Sequence, residues 1–364
     1  MMHHSTVHQV PVVLFGAGGV GRALLQQLLS NREQVAARNR LRFNILAVAD
    51  SRSWFWDRRG LEDEPLRDAL SAKKQGRPLS AAERPDDLQL LDAVLAAAPD
   101  AGLVVDVTAG EMAPLLERAL DRRCGVVLAN KKPLAGPWER ARRFYHNPLV
   151  RYESTVGGGQ PLAATLRTLL DTGDNVQQID GQLSGTLGYI CRRLDEGTPF
   201  SVALAAARAQ GRTEPDPRED LGGRDVARKL MILGRTAGWP LEEGDISVES
   251  LFPQALAHLA VDEFMLASVA MDPPLRDRAN AAGAAGEVLR YVAEVAEGGG
   301  SVGLQPVPME SPLAALKYVR FHTNRYRDRH GGPLLIGSNT GGLEPTAAGV
   351  FADMIGLARE MRGL

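Results

Sequence analysis

The chain has only two cysteines in 364 residues, Cys124 and Cys191, and they lie far apart in no metal or redox motif. That excludes a disulfide framework and a cysteine-built zinc site. Charge of one sign is also missing: 42 Lys and Arg stand against 44 Asp and Glu, a net of −2. A nucleic-acid binder would show a basic footprint, and none is present. No apolar run approaches the roughly 18 residues that a membrane span needs. The opening Met-Met-His-His-Ser-Thr-Val-His-Gln lacks the charged-then-apolar pattern of a secretory signal. His146, His258, His322 and His330 show no metal-ligand spacing. A reduced, cytoplasmic setting is the simplest expectation. What remains, 44% hydrophobic and 24% charged, is the composition of a globular protein long enough for two domains.

The first half alternates short apolar runs with helical patterns. Residues 11–15, 45–49, 103–107 and 126–129 are predicted strands, each rich in β-branched residues. Alternation of this kind implies a Rossmann-like, doubly wound parallel sheet. The polar stretch 73–87, with Pro78 and Pro85, reads as an exposed excursion. Character changes near residue 150. Residues 178–183, 288–296 and 301–307 are predicted strands, and Glu297-Gly298-Gly299-Gly300 joins the last two as a hairpin. This implies a second, mixed α/β domain over 151–330, after a first, doubly wound domain over 1–150. Residues 346–362 form one amphipathic helix, and 331–364 are expected to return to the first domain.

Gly16-x-Gly18-x-x-Gly21, with Gly19 and Val20 inside it, sits between a strand and a helix, as a dinucleotide turn requires. The first glycine permits the turn, the second lets backbone approach a pyrophosphate, and the third lets helix and strand pack closely. Helix N–H groups then face the phosphates. The bland alternative is a glycine turn with no ligand. Asp50 ends the second strand, where an acid can bond a ribose 2′-hydroxyl. Arg52, Arg58 and Arg59 follow and can instead meet a 2′-phosphate, so NAD and NADP both stay open. Ala129-Asn130-Lys131-Lys132-Pro133 follows a strand, where a lysine can polarise a carbonyl; a surface lysine pair is the alternative. Tyr152 to Pro161, with Gly157-Gly158-Gly159, joins the domains and on composition is a flexible connection. Ser184-Gly185-Thr186 can offer hydroxyls and amides to a carboxylate, or simply cap a helix.

Residues 211–229 carry the densest signal. Glu214, Asp216, Glu219 and Asp220 crowd a loop stiffened by Pro215 and Pro217. A helix follows in which Asp225 and Lys229, spaced i, i+4, share a face. An exposed pair of this kind is worth little to stability, so two glycines and four nearby acids argue for a site. Lys229 in a closed cleft can act as a proton donor.

These segments, GAGGVG, ANKKP, YESTVGGGQP, LSGTLGYI, GRTEPDPREDLGGRDVARK and TAAGVFAD, occur in order along nearly the whole chain. The sequence resembles the homoserine dehydrogenase family, and the 214–229 string is the specific part of the likeness. The resemblance implies interconversion of L-aspartate 4-semialdehyde and L-homoserine with NAD or NADP, in a monofunctional form without a regulatory domain and without allosteric inhibition by threonine. It implies a homodimer formed through the second domain, and no nucleic-acid or membrane partner. Lys229 is the expected proton donor, with Lys131 as runner-up and Asp225 orienting Lys229. Glu214, Asp220 and Thr186 would line the substrate site. Gly16, Gly18, Gly19, Val20, Gly21, Asp50, Arg52, Thr108 and Asn130 would hold the cofactor. Glu153 and the carbonyls of Val156, Gly158 and Gln160 would hold Na+ or K+. Two alternatives stay open: a cofactor-binding regulatory protein without turnover, and a reductase of another amino-acid semialdehyde. The chain departs from the family at Arg212, where a tyrosine is expected, after Leu316-Lys317, and at Ser338-Asn339-Thr340-Gly341-Gly342.

Overall fold

A computed structural model describes residues 6–97, 102–326, 332–338 and 341–364. The chain forms two compact units, Met1–Pro161 with Gly341–Leu364, and Leu162–Thr340. The first unit extends past the expected boundary at 150 because the segment 152–161 packs against the C-terminal helix.

The first unit contains one six-stranded sheet. Its strands are β1 (His8–Phe15), β2 (Leu41–Ala49), β3 (Trp54–Trp56), β4 (Leu103–Asp106), β5 (Gly125–Leu128) and β6 (Val150–Arg151). Their order is β3-β2-β1-β4-β5-β6. Every pairing is parallel except β2 with β3, an antiparallel edge. Strands β4 and β5 are buried at every residue, which is why they read as continuous apolar runs. The two edge strands β3 and β6 have three and two residues, too short to leave a periodic signal. The helix Gly19–Ser30 packs on the C-terminal helix Leu343–Met361, and both cover the sheet. The latter buries Val350, Met354 and Leu357 completely. Each side chain so buried contributes about 1.5–3 kcal/mol.

The stretch expected to be an exposed excursion is tied down. The helix Asp63–Lys74 takes its first part. Beyond it Leu79 is buried, its amide donates to Ser53 Oγ, and Arg84 Nε donates to the Asp50 carbonyl. Proline removed the periodic signal there, but side chains anchor the loop to the β2–β3 end of the sheet.

The second unit contains a mixed sheet of β7 (Val176–Gly181), β8 (Ile246–Val248), β9 (Glu287–Ala296), β10 (Gly299–Pro308), β11 (Tyr318–Thr323) and β12 (Leu334–Gly337). The order is β12-β11-β7-β9-β10-β8, with only β10 and β8 parallel. Strands β9 and β10 form the expected hairpin, and Gly298 takes φ +94° in its turn. The helices Gly185–Asp195 and Arg224–Thr236 pack on β9. His322 lies on β11 and pairs with Asp180 at 2.6 Å, a structural contact. His330, Asn339 and Thr340 lie outside the described residues.

Candidate functional site

In the first unit the glycine turn has the geometry a dinucleotide needs. Gly16 adopts φ +109°, and a Cβ there would lie 2.9 Å from the Val107 backbone. A Cβ on Gly21 would lie 1.8 Å from the Gly16 carbonyl oxygen, so helix and turn pack at glycine distance. Gly18 instead faces open space and stands at the N-cap of the helix Gly19–Ser30 with no side-chain cap. The helix N–H groups are therefore left for an anionic group, and the residues present fit a pyrophosphate.

At the end of β2 the Asp50 carboxylate is already engaged. Its Oδ1 accepts from the amides of Arg52 at 2.7 Å and Ser53 at 2.9 Å. Its Oδ2 lies 2.6 Å from Lys73 Nζ. Burial pushes this carboxyl up, but the Lys73 ammonium and the two amides outweigh it and hold the carboxyl below its ordinary value. Asp50 thus closes the turn that presents Arg52, which is exposed.

Across the sheet Asn130 is 3% exposed and donates to Asp106 Oδ2 at 2.9 Å and to the Gly110 carbonyl at 2.9 Å, with Thr108 Oγ1 at 3.3 Å. It clamps the carboxyl ends of β4 and β5 together. Asp106 is fully buried, and burial raises its carboxyl above the usual range. An acid ending an apolar strand was the signal for it in the sequence. Lys131 follows immediately, half-buried, at the start of the short helix Lys132–Ala135.

The glycine run Gly157, Gly158 and Gly159 takes φ of +80°, +63° and +90°. It lies against the start of the C-terminal helix. A Cβ on Gly349 would meet Ser154 Oγ at 2.4 Å and Gly159 Cα at 2.7 Å. Ser154 Oγ donates to the Thr346 carbonyl, and the Glu153 amide donates to Asp353 Oδ2, both at 2.7 Å. Glu153 is buried in this turn beside Val156. The segment read as a flexible connection is a packed part of the first unit.

In the second unit the expected substrate residues come together. Lys229 Nζ lies 2.6 Å from Asp225 Oδ2 and donates to the Leu183 carbonyl at 3.0 Å. The Asp220 carboxylate accepts from the Glu214 amide at 2.8 Å. Burial raises Asp220, while the Glu214 amide, the Thr186 hydroxyl and Lys229 work to lower it. Thr186 Oγ1 also donates to the Arg212 carbonyl at 2.6 Å, tying the acidic loop to the helix Gly185–Asp195. Asp216 departs from the cluster: it pairs with Arg218 at 2.7 Å, whose Nη1 reaches the Ala257 and Leu259 carbonyls. The Arg212 side chain has partners outside the four acids. Its Nε donates to Gln210, and its guanidinium stacks 4.8 Å over the Tyr189 ring. Lys317 joins the cluster unannounced by the sequence. Burial, with the Lys229 charge second, pushes its ammonium down to about 8.

A doubly wound sheet with this glycine turn, and a second unit holding a lysine–carboxylate cluster, define a two-unit α/β protein of the dinucleotide-binding class. The model of the homoserine dehydrogenase NAD-binding domain matches residues 16–147, and that of homoserine dehydrogenase itself matches 161–355. The bifunctional aspartokinase/homoserine dehydrogenase of Haemophilus influenzae is 35% identical over 95% of this chain, which spans 42% of that relative's length. The homoserine dehydrogenase of Paracoccidioides brasiliensis is 33% identical over 94% of this chain and 96% of its own. A hyperthermophilic archaeal homoserine dehydrogenase solved in complex with NADPH aligns with a TM-score of 0.71, covering 97% of this chain and 98% of its own. At 24% identity that likeness speaks to the fold. The chain belongs to the homoserine dehydrogenase family.

Proposed function

We propose that the chain interconverts L-aspartate 4-semialdehyde and L-homoserine, with Lys229 as the proton donor in the direction of reduction. The observation that carries this is the Lys229–Asp225 contact of 2.6 Å, in a cluster that also holds Asp220, Thr186 and Lys317. Asp225 and the Leu183 carbonyl fix the direction of Lys229 Nζ. Nζ delivers a proton to the aldehyde oxygen as that oxygen becomes negative, and recovers it in oxidation. Glu214 meets the substrate ammonium, and Asp220 holds the Glu214 backbone in place. Thr186 ties that loop to its helix. Lys131 is the second candidate for the proton.

A nicotinamide cofactor would supply the hydride in reduction and take it up in oxidation. Gly16, Gly18, Gly19, Val20 and Gly21 would hold its pyrophosphate, and Arg52 the adenosine end. Asn130 and Thr108 shape the neighbouring strand ends. Exposed Arg52, with the Asp50 charge offset by Lys73, favours NADP over NAD. Buried Glu153, with the carbonyls of Val156, Gly158 and Gln160, would supply the oxygen donors for Na+ or K+. We place the enzyme in the cytoplasm as a homodimer associating through the second unit, serving threonine and methionine biosynthesis.

Homoserine oxidation measured with NAD and NADP in parallel tests the reading. Turnover with either is expected, and Lys229→Ala should lower kcat by at least about 100-fold with cofactor affinity nearly unchanged. Activity surviving within a few-fold would make Lys229 a surface residue and overturn the mechanism. Cofactor binding with no turnover in the unaltered chain would favour a regulatory protein instead.

A further inference from the structure

The helix Arg224–Thr236 carries charges on two sides. On one, Asp225 and Lys229 pair with each other. Further along, buried Arg235 reaches Glu242 at 3.3 Å. Arg224 and Arg228 make no ion pair among the described residues, and neither does Glu243 of the facing turn Glu243–Asp245. These three charged groups line the same cavity, of about 320 Å³. Its floor is apolar: Met231 from the helix, with Ile246 and Val248 from β8. The twofold repeat of a strand sends the last two to one face. Val248 is 38% exposed where its neighbours Met231 and Ile246 are buried, so it faces the cavity space. The wall is also fixed in place. Gly223, at φ +69°, has Tyr291 Oη and Val248 Cγ1 at 2.1 and 2.8 Å from the position a Cβ would take.

Two guanidiniums one helical turn apart match a carboxylate, which arginine binds through parallel N–H bonds. A separate carboxylate at Glu243 matches an ammonium. The apolar floor matches a hydrocarbon side chain, and the volume sits at the small end of ligand pockets. We propose that this cavity binds a free α-amino acid with an apolar side chain, at a site separate from the Lys229 cluster. The three groups of such a ligand have one counterpart each: carboxylate to Arg224 and Arg228, ammonium to Glu243, and side chain to Met231, Ile246 and Val248.

Calorimetric titration of the full chain with L-leucine is the test, beside isoamylamine, which lacks the carboxylate, and 4-methylpentanoate, which lacks the ammonium. Saturable L-leucine binding is expected, at least tenfold tighter than either analogue. Hydrogen exchange should show protection confined to 222–231 and 243–250. The double variant Arg224→Ala/Arg228→Ala should weaken L-leucine at least tenfold. Glu243→Gln, a surface change that leaves the fold alone, should weaken L-leucine and leave 4-methylpentanoate unaffected. No saturation at millimolar L-leucine, binding indifferent to these substitutions, or displacement of L-leucine by inorganic phosphate would overturn the proposal. Homoserine turnover is scored separately, so failure here leaves the dehydrogenase reading standing.

Discussion

Lys73 Nζ lies 2.6 Å from Asp50 Oδ2, and this contact decides what the end of β2 can offer a cofactor. An acid with both oxygens engaged is poorly placed to accept a ribose hydroxyl as well. The same pairing offsets the negative charge that would repel a 2′-phosphate. Arg52, exposed on the turn that Asp50 closes, is then the group nearest in sequence to meet one. We expect kcat/KM to favour NADPH over NADH, and Arg52→Ala to lower NADPH use about tenfold, or 1.4 kcal/mol, with NADH hardly affected. Values favouring NADH tenfold in the unaltered chain would show that Asp50 exchanges Lys73 for the ribose.

Gly349 shows how the C-terminal helix is seated. The contacts its missing Cβ would make include backbone, Gly159 Cα at 2.7 Å, which cannot turn aside. Gly349→Ala should destabilise the first unit by about 1–3 kcal/mol, the range for overpacking. Thermal unfolding should show a lower midpoint, and any Na+ or K+ stimulation of turnover should weaken with it. An unchanged midpoint would mean that the glycine run at 157–159 moves freely, contrary to its packing here.

Much of this was legible in the sequence because it rests on local rules. Parallel strands buried on both faces show as apolar runs, and the turn at Gly16 to Gly21 is dictated by backbone close approach. The pair Asp225 and Lys229 is a matter of helix spacing. What stayed hidden depends on contacts between residues far apart in the chain. Lys73 reaches Asp50 from a separate helix, and Lys317 reaches the Lys229 field from the β11 side of the sheet. The edge strands β3, β6, β8 and β12 are two to four residues long, too short for a period to register.

Lys317 has a pH consequence. Its ammonium is lowered from 10.5 to about 8 by burial first and by Lys229 second. The folded state therefore binds this proton less tightly than the unfolded chain does. Between about 8 and 10.5 the unfolded state holds more proton, so the contribution to stability rises with pH across that window. Below it, the charged lysine in the folded state is a standing cost. Lys317→Met should raise stability at pH 7, and the gain should shrink to nothing above pH 10.5. Denaturant midpoints of the two proteins measured across that range give the answer. A gain that stays constant with pH would assign the effect to packing rather than to charge.

Arg212 stands where the family is expected to carry tyrosine, two residues before Glu214. Its guanidinium lies 4.8 Å over the Tyr189 ring and its Nε donates to Gln210 at 2.8 Å. Its backbone carbonyl ties into the cluster, accepting from Thr186 Oγ1 at 2.6 Å. Any residue in the same backbone conformation keeps that bond. An exposed cation–π contact is worth about 0.5–1 kcal/mol, and a tyrosine packed on Tyr189 recovers a comparable amount from ring stacking. Arg212→Tyr should therefore retain turnover and change the homoserine KM by less than about tenfold. The informative companion is Thr186→Val, which removes the bond to that carbonyl while preserving shape. It should raise the homoserine KM more than Arg212→Tyr does, because the loop carrying Glu214 and Asp220 loses its tie to the helix. Abolished turnover in Arg212→Tyr would instead mark the guanidinium as a substrate ligand. The substrate would then carry more negative charge than homoserine, and the assignment of the reaction would change.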